Sequence, residues 1–262
     1  MDKKPVIHIQ NLRKSYEKKE VLKGIDLLVY PGQIIGYIGS NGAGKSTTVK
    51  ILLGIINEYE GQIEIFGQDI RKDAITYKKR IGYVPENGEI YDNLTAAEYL
   101  AFLGQMYDMK DEAVERKSKH LMKLFGIESY YNTRINTYSK GMKQKLLIIA
   151  SMIHNPDILF LDEPLSGLDA NTVLVLKEIM AALAKQGKTI FYSSHIMEVV
   201  EKISDRILLL NEGQIVADGN FEELKEKNKE GTLEKIFNEL TGFKEHRGIA
   251  DEFVTLIEED EE

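Results

Sequence analysis

A glycine-rich segment between residues 39 and 47 restricts the possible folds of this chain more than any other part of the sequence. It reads Gly39-Ser40-Asn41-Gly42-Ala43-Gly44-Lys45-Ser46-Thr47 and matches the pattern G-x-x-x-x-G-K-S/T. An apolar run, Ile34–Ile38, precedes it, and a helical pattern, Thr47–Ile55, follows it. Glycines allow successive backbone N–H groups to point at one anion, and the start of a helix adds partial positive charge. The segment therefore predicts a strand, a phosphate-binding loop and a helix, in that order.

Two polar side chains of this loop indicate that the anion belongs to a nucleotide. In loops of this pattern the lysine, here Lys45, reaches the β- and γ-phosphates. The hydroxyl group that follows, here Ser46, is a ligand for Mg²⁺. A nucleoside triphosphate with Mg²⁺ is therefore the expected ligand of this loop.

A pair of carboxylates at the end of an apolar run adds a second chemical element. The run Ile158–Leu161 is followed directly by Asp162 and Glu163. The carboxyl edge of a buried parallel strand is where ligands bind in such sheets. We predict that Asp162 holds Mg²⁺ through its water shell and that Glu163 orients the attacking water. By itself, the run fits an ordinary strand that is ended by Pro164 equally well.

Strand and helix patterns alternate along most of the chain, which predicts an α/β fold with a largely parallel sheet. The predicted strands are Val6–Leu12, Ile34–Ile38, Ile63–Phe66, Ile81–Val84, Ile158–Leu161, Thr189–Tyr192 and Arg206–Leu210. The predicted helices between them are Thr47–Ile55, Val173–Ala184 and Met197–Ile203.

Residues 86–135 interrupt this alternation and read as a helical insertion. Thr95-Ala96-Ala97-Glu98 has the form of a capping box ahead of an apolar stretch, Tyr99–Tyr107. A second helical pattern covers Asp111–Phe125. Two further short helical patterns lie within residues 221–240.

A second candidate anion site opens the helical pattern that runs from residue 138 to about residue 154. Ser139 is the predicted N-cap, and Gly141 follows it two residues later. One chain cannot easily bring two helix starts to one γ-phosphate, which indicates a second subunit. In isolation, the start of a basic amphipathic helix is the better explanation of this segment.

These elements, in their order and spacing, resemble the ATP-binding subunit of an ABC transporter over about residues 6 to 225. The ordered elements are the phosphate-binding loop, Pro85-Glu86, Ser139-Lys140-Gly141, Asp162-Glu163, Ser166-Gly167-Leu168-Asp169 and His195. Two stretches, Tyr138–Lys145 and Leu233–Thr241, are similar to those of bacterial exporters of drugs, peptides or lantibiotic-type substrates.

The resemblance implies a P-loop NTPase (RecA-like) core with a mostly parallel sheet, an N-terminal antiparallel β subdomain and an inserted helical subdomain. Residues 1–85 and 136–220 would form the core with the β subdomain. Residues 86–135 would form the helical subdomain, and residues 221–262 a C-terminal helical extension with an acidic tail.

The resemblance to the family also implies a role for each site residue. Glu163 and His195 would be catalytic, with His195 hydrogen-bonded to the γ-phosphate, and Tyr16 would stack on the adenine. Ser139 and Gly141 would contact the γ-phosphate bound to the opposite subunit. The remaining nucleotide-binding positions are Gly39, Ser40, Asn41, Gly42, Ala43, Gly44, Lys45, Ser46, Thr47, Glu86 and Asp169 (at the dimer seam), and the metal-binding positions are Ser46, Glu86 and Asp162.

Three positions depart from the family pattern and put the turnover rate in question. Glu86 stands where glutamine is usual and adds a negative charge near the phosphates. Lys140 replaces the first glycine of the signature, and Met142 replaces its glutamine. Because Glu163 and His195 are both present, we expect a site that hydrolyses ATP.

Composition and charge limit the partners. The net charge is −8, but the last twelve residues hold seven acids and no base. The rest of the chain is therefore nearly neutral, and nucleic acid is not an expected partner.

The absence of cysteine excludes disulfides and thiolate metal sites. No apolar run approaches the ~20 residues that span a bilayer. We expect a cytoplasmic chain, bound to the inner face of the membrane through a transmembrane permease and paired with an identical or different nucleotide-binding subunit.

Two alternatives remain at this stage. One is a soluble ABC-type ATPase that acts on ribosomes or nucleic acid. The ribosome type usually joins two nucleotide domains in one chain, and the long coiled coil of the chromosome type has no room in the spacing of 94 positions from Lys45 to Ser139. The other is a regulatory subunit that binds ATP without turnover, which a phosphate-release assay would distinguish.

Overall fold

The computed structural model describes residues 4–86, 88, 90–242 and 253–256. The strands in this part of the chain are β1 (Ile7–Tyr16), β2 (Lys19–Val29), β3 (Ile34–Gly39), β4 (Glu60–Ile65), β5 (Gln68–Asp69), β6 (Ile81–Val84), β7 (Ile158–Asp162), β8 (Thr189–Ser193), β9 (Arg206–Asn211) and β10 (Gln214–Gly219). The helices packed with them are α1 (Lys45–Leu52), α2 (Ala74–Lys78), α3 (Ala96–Met106), α4 (Asp111–Leu124), α5 (Lys140–Met152), α6 (Ala170–Lys185), α7 (Met197–Ile203), α8 (Phe221–Asn228) and α9 (Leu233–Thr241).

The central sheet has six strands in the order β10-β9-β3-β8-β7-β6, and all neighbours except β10 and β9 are parallel. Every residue of β3 and β8 is buried, because one face of the sheet packs on helices such as α5, α6 and α7 and the other packs on α1 and the N-terminal strands β1, β2 and β4. That burial explains why these strands read as continuous apolar runs. The predicted α/β class with a mostly parallel sheet is confirmed.

A second sheet, antiparallel and ordered β2-β1-β4-β5, forms the predicted N-terminal β subdomain. The β1–β2 ladder contains several register shifts, and Asn11 takes a left-handed φ of 48° at one of them. These shifts break the two-residue periodicity by which strands are recognised. The sequence pattern consequently misses β2 and ends β1 too early, at Leu12.

The segment between β6 and β7 is helical, as predicted. The Thr95 hydroxyl accepts a hydrogen bond from the Glu98 backbone N–H at 3.2 Å, and the Glu98 carboxylate accepts one from the Thr95 backbone N–H at 2.8 Å. This reciprocal capping fixes the start of α3. The boundaries predicted for the three parts of the chain stay a prediction.

Two further sequence predictions concern the ends of helices. Helix α1 begins at Lys45 and stops at Leu52, before the predicted end at Ile55, because the chain turns at Gly54 with a φ of 60°. Ser139 is the N-cap of α5, as predicted, and accepts a hydrogen bond from the Met142 backbone N–H at 3.2 Å. None of the helices in the described residues is long and apolar enough to span a bilayer.

Candidate functional site

Three neighbouring strands of the central sheet end at one edge and carry the polar residues of the candidate site. Strand β8 lies between β3 and β7, and all three run in the same direction. Their last residues are Gly39, Asp162 and Ser193. Ligands bind at the carboxyl ends of the strands in sheets of this kind. Residues far apart in the sequence therefore meet where β3 enters the glycine-rich loop.

The loop after β3 has a shape that only glycine can supply at two positions. Gly44 has a φ of 110°, and a Cβ there would lie 2.5 Å from the Leu22 side chain. A Cβ on Gly39 would lie 2.3 Å from the Leu210 carbonyl oxygen. The loop is therefore packed tightly against the chain behind it, while helix α1 begins directly after Gly44 and directs its N-terminal end at the loop. This is a backbone cradle suited to a phosphate group.

A cavity of about 300 Å³ lies over this loop and gathers most of the predicted site residues. Its walls are Tyr16, Lys19, Val21, Ser40, Asn41, Gly42, Gly44, Lys45, Ser46, Thr47, Glu86, Asp162, Glu163 and His195. Of the predicted loop residues, Ala43 is buried behind the cavity, and Gly39 lines a neighbouring groove instead.

The Lys45 ammonium is the basic centre of the loop and is surrounded by acids. It donates hydrogen bonds to the carbonyl oxygens of Gly39 at 2.6 Å and Ser40 at 3.2 Å. Burial lowers the pKa of Lys45, and the charges of Asp162, Glu163 and Glu86 oppose that shift, in decreasing order. The ammonium has three N–H donors and no acceptor. It can therefore exchange these carbonyl oxygens for phosphate oxygens when a phosphate enters the loop.

The oxygen donors beside the loop fit a Mg²⁺ ion bound with a phosphate. The Ser46 hydroxyl and the carboxylates of Asp162 and Glu86 line the same cavity, and oxygen is the ligand that Mg²⁺ prefers. The Ser193 hydroxyl donates a hydrogen bond to Asp162. Within the described residues no cluster of three or more acidic, histidine or cysteine side chains could hold a metal alone. This donor set suits an ion that keeps waters and takes phosphate oxygens as its other ligands.

Glu163 is held at the turn after β7 in a strained backbone conformation with a φ of 47°. Its backbone N–H donates to the Ser193 carbonyl oxygen at 3.1 Å, and its Oε2 accepts from the Ser194 hydroxyl at 3.3 Å. His195 Nε2 lies 3.7 Å from Oε1. Burial raises the pKa of the Glu163 carboxyl, while His195 and Ser194 act in the opposite direction. A fixed carboxylate of raised pKa is suited to accept a proton from water.

The residues of the second candidate anion site, and Asp169, lie away from this cavity. A Cβ on Gly141, near the start of α5, would be 2.6 Å from the Gly167 carbonyl oxygen, so α5 packs closely on that turn. Asp169 caps α6 by accepting from the Thr172 backbone N–H at 2.9 Å, and it pairs with Lys145 at 3.1 Å. Ser139, Gly141 and Asp169 are not among the residues that line the cavity of their own chain.

Sequence reasoning missed several residues around the site. Lys19 and Val21 line the cavity but belong to β2, which the pattern does not reveal. Ser193 and Ser194 hydrogen-bond to the two carboxylates, although only the following histidine was assigned a role. The Ser193-Ser194-His195 run at a strand end was the available signal.

Comparisons with known proteins agree on one family. The family model described as ABC transporter matches residues 22–166. An uncharacterised ABC transporter ATP-binding protein of Methanocaldococcus jannaschii is 40% identical over 224 residues, which cover 86% of this chain and 81% of that protein. A linearmycin resistance ATP-binding protein of Bacillus subtilis is 35% identical over 214 residues, which cover 82% of this chain and 69% of that protein. A solved structure of an ATP-binding subunit of an ABC transporter has a TM-score of 0.85 and 30% identity, and the match covers 90% of this chain and 99% of that one.

Proposed function

This chain belongs to the ABC transporter family as an ATP-binding subunit that hydrolyses ATP, and we propose that it drives export of a substrate through a separate membrane permease. The similarity to a linearmycin resistance protein supports export of a drug-like compound. The relatives do not favour the alternative of a soluble ATPase that acts on ribosomes or nucleic acid.

The observation that carries this proposal is the single cavity shared by the glycine-rich loop, Asp162, Glu163 and His195. The loop amides and Lys45 would bind the phosphates of ATP, and Tyr16 would stack on its adenine. Ser46, Glu86 and Asp162 would hold Mg²⁺, which when bound neutralises charge on the phosphate oxygens.

Two side chains would then carry out the hydrolytic step. The Glu163 carboxylate would orient a water molecule in line with the γ-phosphate and accept its proton. His195 would hydrogen-bond to a γ-phosphate oxygen and so hold the group that is transferred. The Ser194 hydroxyl, 3.3 Å from Glu163, keeps the carboxylate in place.

A second nucleotide-binding subunit, identical or different, would complete the site. Ser139 and Gly141 stand at the start of α5, outside the cavity of their own chain. In a head-to-tail pair, each subunit would present these residues to the γ-phosphate on the other, with Asp169 at the seam. Loss of the γ-phosphate would remove the contacts that bridge the pair, so hydrolysis would open it.

The helical segment 86–135 would transmit this motion to the permease at the inner face of the membrane. Tyr91, Phe102 and Met106 are exposed there, and Tyr91 packs edge-on against Phe102 at 6.0 Å between ring centroids. A patch of exposed aromatic and apolar side chains is typical of a surface that binds another protein.

The experiment that tests this proposal uses the full chain and its Glu163→Gln variant. We expect the parent to release phosphate from ATP and the variant to accumulate an ATP-dependent dimer, measured by light scattering. A tagged chain purified from native membranes in detergent should retain a permease. Recovery of ribosomes in place of a membrane protein, or a variant that hydrolyses ATP as fast as the parent, would contradict it.

A further inference from the structure

Lys14 is an unusually buried lysine beside the nucleotide cavity. It lies two residues before Tyr16 on β1, and side chains two residues apart project from the same face of a strand. The Lys14 side chain is only 9% exposed, whereas lysines are rarely buried unless they are paired. The register shifts around Asn11 turn Leu12 and Lys14 toward the interior.

The Lys14 ammonium lies near two groups, the ring of Tyr16 and the carboxylate of Glu58. Its Nζ lies over the Tyr16 ring, 4.9 Å from the centroid. Its ion pair with Glu58 is long, at 3.9 Å, and the Glu58 side chain is 96% exposed, so water screens that interaction. Nζ donates no hydrogen bond to any residue in the described part of the chain. The electron-rich face of Tyr16 therefore adds a cation–π contact to this screened ion pair.

Tyr16 itself is open to the cavity. Its side chain is 45% exposed and lines the same 300 Å³ space as the phosphate-binding loop. Lys14 is not part of the cavity wall, as far as the chain is described. A cation seated over one face of the ring leaves the other face as the one that a flat ligand can cover.

We propose that Lys14 is a positioning residue for the nucleobase, which holds the Tyr16 ring in the orientation that stacks on the purine of ATP. This inference rests on the proposed function, since it assumes that ATP occupies the cavity. The cation fixes the ring before ATP binds, so less side-chain freedom is lost on binding. It also draws electron density from the ring, which favours stacking on an electron-rich purine.

The role of Lys14 is therefore confined to the base and leaves the phosphates untouched. Removal of the ammonium should raise the KM for ATP without lowering kcat at saturating ATP, because the reacting phosphate is held elsewhere. Inorganic tripolyphosphate carries the phosphate charges of ATP and no base. Its binding should not depend on Lys14.

The chain contains no tryptophan, so Tyr16→Trp introduces a single fluorescent reporter at the stacking position. Lys14→Met is made both in that background and in the natural chain. Two variants serve as controls: Lys14→Arg keeps a cation at the same position, and Lys18→Met removes an exposed cation from the turn after β1. Lys14→Gln serves as a second neutral variant if Lys14→Met does not fold. We expect the neutral variants to bind ATP about three- to tenfold more weakly, with tripolyphosphate binding unchanged. Lys14→Arg should restore most of the affinity, and Lys18→Met should match its parent.

A double-mutant cycle separates the ring contact from a general structural effect. In a Tyr16→Leu background, Lys14→Met should cause no further loss of ATP affinity. The inference is overturned if Lys14→Met binds ATP as the parent does, if it weakens ATP and tripolyphosphate equally, or if its effect persists without the Tyr16 ring. If the unaltered chain binds no ATP, the proposed function fails instead.

Discussion

Glu163 Oε1 and His195 Nε2 lie 3.7 Å apart, although 31 residues separate them along the chain. Adjacent parallel strands, β7 and β8, bring them together at the sheet edge. The side chain of Glu163 is 17% exposed and that of His195 is 58% exposed. The carboxylate is thus shielded from water while the imidazole remains accessible, which suits a buried base beside an exposed hydrogen-bond donor.

Glu163→Gln is expected to stabilise the nucleotide-free chain at high pH. Because burial raises the folded-state pKa of Glu163 above its unfolded value, its stabilising contribution is present below the unfolded pKa and is lost as pH rises through the folded pKa. The neutral glutamine avoids that loss. The variant should melt at a higher temperature than the parent at about pH 8, with the gain absent near about pH 4. Thermal unfolding across this range checks it, and a larger gain at acid pH would contradict the direction of the shift.

His195→Ala is expected to lower ATP hydrolysis by about 10²- to 10⁴-fold, because a hydrogen bond made to the transferred group is lost. ATP binding should change far less, since the loop and Lys45 remain. Steady-state phosphate release measures the rate, and equilibrium binding measures the affinity. His120→Ala, at an exposed position on α4, is the control and should hydrolyse ATP like the parent.

Lys45→Ala is expected to weaken ATP binding by about 10- to 100-fold, the effect of losing charged hydrogen bonds to phosphate. The loss leaves Asp162, Glu163 and Glu86 without the cation that faces them, which adds repulsion toward the triphosphate. Isothermal titration gives the Kd. The control is Lys50→Ala, which removes an exposed cation from the same helix. If it weakens ATP binding as much as Lys45→Ala does, the effect comes from the overall charge of the chain and not from a contact of Lys45 with the phosphates.

Glu86→Gln is expected to tighten the binding of metal-free ATP and to weaken the binding of Mg²⁺. Removal of one negative charge beside the phosphates should tighten binding of metal-free ATP a few-fold, and added salt should reduce that gain. If Glu86 is a metal ligand, the Mg²⁺ concentration for half-maximal hydrolysis should rise. Titrations of ATP in chelator and of Mg²⁺ at fixed ATP measure the two effects. An unchanged Mg²⁺ requirement would remove Glu86 from the metal site.

Gly141→Ala is expected to destabilise the chain or to displace the turn at Gly167, because the new Cβ would lie 2.6 Å from the Gly167 carbonyl oxygen. Backbone atoms cannot yield as a flexible side chain can, so a loss of about 1–3 kcal/mol is expected, the usual cost of overpacking. Chemical denaturation measures it. Gly231→Ala is the control, since its Cβ would meet no atom within 4 Å. Equal stability of the two variants would contradict the close packing of α5 on this turn.

The local sequence determined the elements whose stabilising interactions are short-range. Because β3 and β8 are buried on both faces, most of their residues are apolar, and these runs identify the strands without knowledge of their neighbours. The glycines of the loop and the Thr95–Glu98 box likewise satisfy conformational and hydrogen-bonding demands within a few residues.

Tertiary structure decided which of these elements meet. The β2 strand was not predicted, because its register shifts are set by pairing with β1. Lys19 and Val21 of the cavity wall lie on that strand and were missed with it. The order β3-β8-β7 brings the phosphate-binding loop to the carboxylates, and the separate N-terminal sheet carries Tyr16 to the same cavity with Lys14 over its ring. Local patterns specify which residues can form a strand, whereas strand order and the contact of two sheets depend on packing between distant segments, which no short stretch of sequence encodes.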